Sequence, residues 1–156
     1  MKIFHTFLLG LMLTSIASNG QSNLKSYQSQ YGFDETIQLI KSSLDERDIE
    51  VMQVIDHDDN AEGAGMELEK TKVIVFGNPQ VGTKLMQADP DIAIELPLRL
   101  LIIERNGNVT VKYTDPTLWK EKYNLEDQVE TLENMTELLN NIGRIVEGGD
   151  KRTSIL

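Results

Sequence analysis

The sequence predicts an α+β domain, an antiparallel sheet with helices packed on one face, in the order β-α-β-β-α-β-β-α. Three observations carry this. Apolar residues recur at helical spacing near both ends of the chain, with strand-length apolar runs between them. Asn106-Gly107 joins two of those runs, and this dipeptide favours a type I′ hairpin turn because both positions need positive φ. Gly77-Asn78-Pro79 and Pro90 bracket a segment too short for anything but a small helix.

Asn23 to Tyr31 is polar with scattered aromatics and reads as an edge strand. Phe33, Ile37, Ile40 and Leu44 then mark an amphipathic helix over 34–47, with Asp34 as its N-cap and Phe33 as a staple residue. Glu50 to Ile55 is a strand, Asp56 to Gly65 an acidic loop, and Thr71 to Phe76 a largely buried strand. Asn78 caps a short helix from Pro79 toward Ala88, because a proline at the first helical position lacks an N–H that would have no partner there.

In the hairpin formed by Leu98–Arg105 and Asn108–Thr114, the two-residue turn fixes the register. Leu100 and Ile102 share a core face with Val111 and Tyr113, while Leu101, Ile103, Thr110 and Lys112 face the other way, toward another element or a second subunit. After Asp115-Pro116 comes a helical piece with Leu118, Trp119 and Tyr123. The last helix runs from about Leu125 to Val146, with Asn124 as cap candidate, Glu126 and Asp127 at its positive end, and an apolar stripe from Val129 to Val146. Gly148-Gly149 ends it.

Residues 1–20 read as a signal peptide. Lys2 supplies the basic start, Phe7 to Ile16 the apolar run, and Ala17, Ser18 and Gly20 the small residues before cleavage near Gly20/Gln21. The competing reading is an uncleaved anchor, although the run is shorter than the roughly 20 apolar residues of a membrane span. No cysteine follows, which excludes a lipoprotein anchor, and no later segment is apolar enough to cross a bilayer. The expected organisation is thus 1–20 signal peptide, 21–149 one α+β domain and 150–156 a loose tail, in a periplasmic or secreted protein.

The chain carries a net charge of −10, one unit more negative once Lys2 is removed. Such a surface repels phosphate backbones and anionic lipid heads, so nucleic acid and membranes are poor partners. Without cysteine, and with His57 the only histidine beyond the signal peptide, zinc sites built on several histidines or thiolates and cysteine nucleophiles are excluded within one chain. No particular cofactor is indicated.

Four features bear on chemistry. Asp56, Asp58, Asn60 and Glu67 fall on positions 1, 3, 5 and 12 of a calcium-binding loop, yet Ala61 stands where glycine is needed and the flanks read as strands. A solvated acidic loop, with no metal, is the expectation. Gly77, Asn78, Gly82 and Thr83 form a strand–turn–helix entrance whose free N–H groups could hold an anion, or which is simply a capped helix start. Glu95 precedes the most apolar strand and is either an acid/base group with a raised pKa or half of a structural ion pair with Arg99 or a backbone donor. His57 is either a loop residue or a catalyst lacking a visible nucleophile.

Together these stretches resemble a known family. Asp56-His57 with Ala61, Val75-Phe76-Gly77-Asn78-Pro79, Gly82-Thr83, Leu96-Pro97-Leu98-Arg99 and Val111-x-Tyr113-x-Asp115-Pro116 are similar to the bacterial domain-of-unknown-function family numbered 302, over about residues 31–146. Glu95 departs from the family habit, in which aspartate is commoner before Leu-Pro. The resemblance implies a compact α+β fold and self-association as a homodimer, and implies no activity. Its recurring positions fall on His57, Gly77, Asn78, Pro79, Gly82, Thr83, Leu96 and Pro97.

Two functions stay open from the sequence. One is a non-enzymatic module binding a small molecule or a periplasmic protein through a groove near Asn78 and His57. The other is a hydrolase- or lyase-like enzyme using His57 or Glu95 as acid/base. A site joining His57, Asn78 and Glu95 is what would favour the enzyme.

Overall fold

The computed structural model describes residues 23–149; the signal peptide read at 1–20 and the tail read at 150–156 lie outside them. Five strands form one antiparallel sheet in the order β1-β5-β4-β3-β2, built from β1 (Leu24–Gln28), β2 (Glu50–Asp56), β3 (Thr71–Gly77), β4 (Leu98–Arg105) and β5 (Asn108–Thr114). Four α-helices accompany it: α1 (Phe33–Asp45), α2 (His57–Gly63), α3 (Pro79–Ala88) and α4 (Val129–Val146). The order is the expected one with α2 inserted.

The register explains the core. Asn106 and Gly107 take φ of 52° and 77°, the left-handed pair a type I′ turn needs, and Arg105 pairs with Asn108 across it. Side chains alternate along each strand, so Leu100, Ile102, Val111 and Tyr113 fall on one face and are buried with Ile74 and Phe76. The buried stripes of α1 (Ile37, Ile40, Leu44) and α4 (Leu132, Leu139, Ile142, Val146) complete the same cluster. The opposite face carries Ile55, Val73, Val75, Leu101 and Ile103, each partly exposed.

Four local expectations are corrected. Helix α1 begins at Phe33 with Gly32 as N-cap, and Asp34 sits in the first turn, which puts Phe33 on the same helix face as Ile37 one turn on, both buried. The acidic stretch after β2 folds as α2 rather than a loop. Asp56 caps it by accepting from the Asp59 N–H at 3.1 Å, and Asp58 and Asp59 lie at its positive end. Helix α4 begins at Val129, after a 3₁₀ turn at Glu126–Gln128, and Asn124 serves Asp89 instead of capping it. Val129, read as part of the buried stripe, is 38% exposed.

Both Asp-Pro dipeptides open 3₁₀ segments, Pro90–Ile94 and Pro116–Glu121, by one device. Proline lacks an N–H, so the preceding carboxylate accepts from the next one, Asp89 from Asp91 and Asp115 from Thr117, each at 3.0 Å.

Candidate functional site

Strand β3 carries buried Phe76 and ends on Gly77, which leads into Asn78, whose side-chain oxygen accepts from the Gln80 N–H at 2.9 Å to start α3. Against this corner, the Leu96-Pro97 peptide is cis and turns the chain into β4. Between the β3–α3 corner, the Leu96–Leu98 turn, the start of β2 and the first half of α4 lies a cavity of about 680 Å³. Its walls are mainly apolar, among them Ile49, Met52, Phe76, Leu96, Met135 and Leu138. Arg47, Lys84, Asn78, Thr83, Thr131 and Asn134 supply the polar groups. A volume between about 300 and 1,000 Å³, apolar walls and a few polar groups are what small-molecule sites share.

Gly77, Asn78, Gly82 and Thr83 all line this cavity. Neither glycine is forced by crowding: an added Cβ would lie 3.6 Å from Pro97 Cβ at position 77 and 3.6 Å from Leu96 Cδ1 at position 82, ordinary contact distances.

Glu95 sits at the end of the 3₁₀ turn beside the cavity but lines a separate one of about 30 Å³, with Arg99 and Trp119. Its carboxylate accepts from the Tyr123 hydroxyl at 3.0 Å and faces Lys122 Nζ at 3.8 Å. Lys122 thus takes the place expected of Arg99, whose side chain belongs to the outer sheet face opposite Val75. Burial first, and then this bond to Glu95, raises the Tyr123 pKa.

His57 is exposed at the first position of α2, at the far end of the sheet edge. Glu50 pairs with Gly77 and Asp56 with Lys72, so the length of β2 separates His57 from Asn78 by roughly 20 Å at about 3.3 Å per residue. The structure therefore brings four of the six candidate residues together, leaves Glu95 beside them and sets His57 apart.

Beside His57, the Asp56, Asp58 and Asp59 carboxylates approach within 4.8 Å of one another. Two of them already have partners. Asp58 accepts from the Thr71 N–H at 2.8 Å, and Asp56 meets Lys72 Nζ at 2.5 Å. The Lys72 hydrogen bond, helped by the Asp59 N–H, lowers the Asp56 pKa to about 2. Helical backbone over 57–63 replaces the loop that the calcium-binding spacing requires.

A second arrangement braces the cavity. Asp89 is 8% exposed, and one carboxylate oxygen accepts from both the backbone N–H and the side-chain amide of Asn124, at 2.9 and 3.0 Å. Those bonds, the Asn124 N–H foremost and then that of Asp91, hold Asp89 below the usual carboxylate range. The end of α3 is thereby tied to the segment leading into α4.

The profile of a family described as "Domain of unknown function DUF302" matches residues 25–142. The chain belongs to this family. A crystal structure of an uncharacterized conserved DUF302 protein from Bacillus stearothermophilus superposes with a TM-score of 0.72, covering 80% of this chain and 98% of that one at 17% identity. Likeness at that identity shows the fold. Two curated relatives of this DUF302 chain are the fluoride-specific ion channel FluC 1 of Brucella suis biovar 1 (strain 1330) and FluC 2 of Brucella melitensis biotype 1. Each is 34% identical over 111 residues, which is 70% of this chain but only 44% and 41% of theirs. The DUF302 chain thus spans under half the length of the curated relatives it matches.

Sequence reasoning did not find Arg47, Met52, Lys84, Asn134 or Leu138, which this DUF302 domain assembles from four separate elements. Only Lys84 had a visible signal, its place on the same short helix as Gly82 and Thr83.

Proposed function

We propose that this chain is a non-enzymatic binding module whose small-molecule ligand occupies the cavity between the β3–α3 corner and α4. The observation that carries the reading is the cavity itself, about 680 Å³ with largely apolar walls and a handful of polar groups at Arg47, Asn78, Thr83, Lys84 and Asn134. Its recurrence as less than half of longer chains supports a self-contained module, in those relatives one part of proteins named fluoride-specific ion channels. The hydrolase- or lyase-like alternative draws no support from the arrangement, since His57 lies far from Asn78 and the Glu95 carboxylate is engaged by Tyr123 and Lys122. We further propose that the protein is exported to the periplasm or beyond, on the strength of residues 1–20, and that it self-associates as a homodimer.

Native mass spectrometry of the full chain purified from periplasm tests the binding reading. The expected spectrum holds a small-molecule adduct that is lost in Leu138→Trp, where an indole fills the cavity. Bare polypeptide in the wild type, together with no melting shift against a library of small apolar compounds, would reject it.

A further inference from the structure

We infer that the ligand of this cavity is a small amphipathic anion, an aliphatic body ending in one anionic head group; this rests on the cavity being a ligand site. The chain carries 25 acidic residues against 15 basic ones, so the charged residues of a concave surface taken without regard to function would be mostly carboxylates. This one reverses the balance. Its charged lining residues are Arg47 and Lys84, and among the described residues no aspartate or glutamate lines it.

Among the described residues neither cation takes part in an ion pair: those pairs involve Lys25, Lys70, Lys72, Arg105 and Lys122. Arg47 is also held in place. Its Nη1 donates to the Ser43 carbonyl at 2.7 Å and to Ser43 Oγ at 2.9 Å, which orients the guanidinium and leaves donors of its planar fork for an incoming group. Helix α3, which forms one wall, has no acid in its first turn, whereas α1, α2 and α4 all do. Its positive end therefore adds to the sign set by Arg47 and Lys84.

The rest of the lining suits an aliphatic body. Phe76, Leu96 and Leu138 give apolar surface, and Met52, Met86 and Met135 give unbranched thioethers that adapt to a flexible chain. A cation would face two like charges, and a neutral alcohol would leave both uncompensated. A free inorganic anion would leave the apolar walls in water.

Isothermal titration of the full chain with four eight-carbon probes tests the inference: octanoate, octyl phosphate, octan-1-ol and octylammonium. Octanoate and octyl phosphate are expected to bind about ten-fold or more tighter than octanol, as charge-assisted hydrogen bonds require, and octylammonium weakest. Whichever of octanoate and octyl phosphate binds tighter identifies the head group as carboxylate or phosphate. In Arg47→Gln/Lys84→Gln the ratio of octanoate to octanol affinity should fall toward one, with the melting temperature confirming a folded protein. Octanol or octylammonium binding as tightly as octanoate overturns the anionic assignment and leaves the binding module standing. Failure of all four probes overturns both, and so does octanoate binding unchanged in Leu138→Trp.

Discussion

The ring of Tyr27 lies so close to Gly143 that a Cβ at position 143 would come within 2.6 Å of three of its atoms. Tyr27 is on edge strand β1 and Gly143 on α4, so the missing side chain lets the strand and helix close together. One turn earlier on α4, Asn140 accepts from the hydroxyls of Tyr27 and Tyr113 at 2.7 and 2.6 Å, and the two rings stack with centroids 6.1 Å apart. Burial first, and then Tyr27, pushes the Tyr113 pKa upward, so its hydroxyl stays protonated as the donor this bond needs.

Gly143→Ala should therefore destabilise the protein despite alanine's better helix propensity. Overpacking costs about 1–3 kcal/mol against a propensity gain of about 1 kcal/mol. Urea unfolding followed through Trp119, the only tryptophan and 2% exposed, measures the net effect. Tyr27→Ala should relieve part of the penalty in the double variant; strict additivity would show that the two residues do not oppose each other.

Asn78→Asp should leave stability unchanged, since aspartate caps as well as asparagine and suits a positive helix end. Asn78→Ala should cost about 1 kcal/mol, the usual value of a lost cap. Because residue 78 lines the cavity, the aspartate should weaken octanoate binding while octanol binding changes less. Equal melting temperatures for Asn78→Ala and wild type would show that the bond to Gln80 contributes nothing.

Acid should weaken the fold in the window set by Asp56. Its carboxyl titrates at 3.8 when unperturbed and at about 2 in the folded chain, so its stabilisation is complete above pH 4 and disappears as pH falls through 2. Lys72 has the opposite sign. Its pKa is raised above 10.5, chiefly by the Asp56 hydrogen bond, so its contribution is present at neutral pH and is lost as pH rises beyond that value. Urea midpoints of wild type and Asp56→Asn across both ranges test this. Curves that stay parallel at both extremes would mean that the pair has no part in pH stability.

The outer sheet face should form the homodimer contact. Ile55, Val73, Val75, Leu101 and Ile103 make a partly exposed apolar stripe over three adjacent strands, and sheets pack face to face at about 10 Å through such surfaces. Analytical ultracentrifugation should find a dimer, and Val73→Lys/Leu101→Lys a folded monomer. A wild-type monomer at high micromolar concentration would exclude the contact.

Much of this fold was legible because local chemistry and tertiary demand agree. Asn106-Gly107 can scarcely be anything but a hairpin turn, and its fixed register assigns Leu100, Ile102, Val111 and Tyr113 to the core. Helix α2 was missed because it buries no residue, so no apolar periodicity marks it, and its signal is capping chemistry at Asp56 alone. Asn124 was misassigned because a cap and a long-range partner look identical in sequence, and only the fold shows Asp89 reaching it across 35 positions. The site was half legible for a similar reason. The β3–α3 corner is contiguous, whereas Arg47 reaches the same space from the turn after α1 and Leu138 from α4, and no short motif encodes how those segments pack.

Strand β1 lies beside β5, with Leu24 opposite Thr114, so the first of the described strands waits for the last before it has a strand neighbour. All five strands must emerge from the ribosome before that edge can zip up. Until then β1 is an open ribbon, and pairing across so long a loop makes closure a late event in folding. On the export route proposed above, a translocation channel that accepts only unfolded polypeptide would meet β1 while its partner strand is still absent.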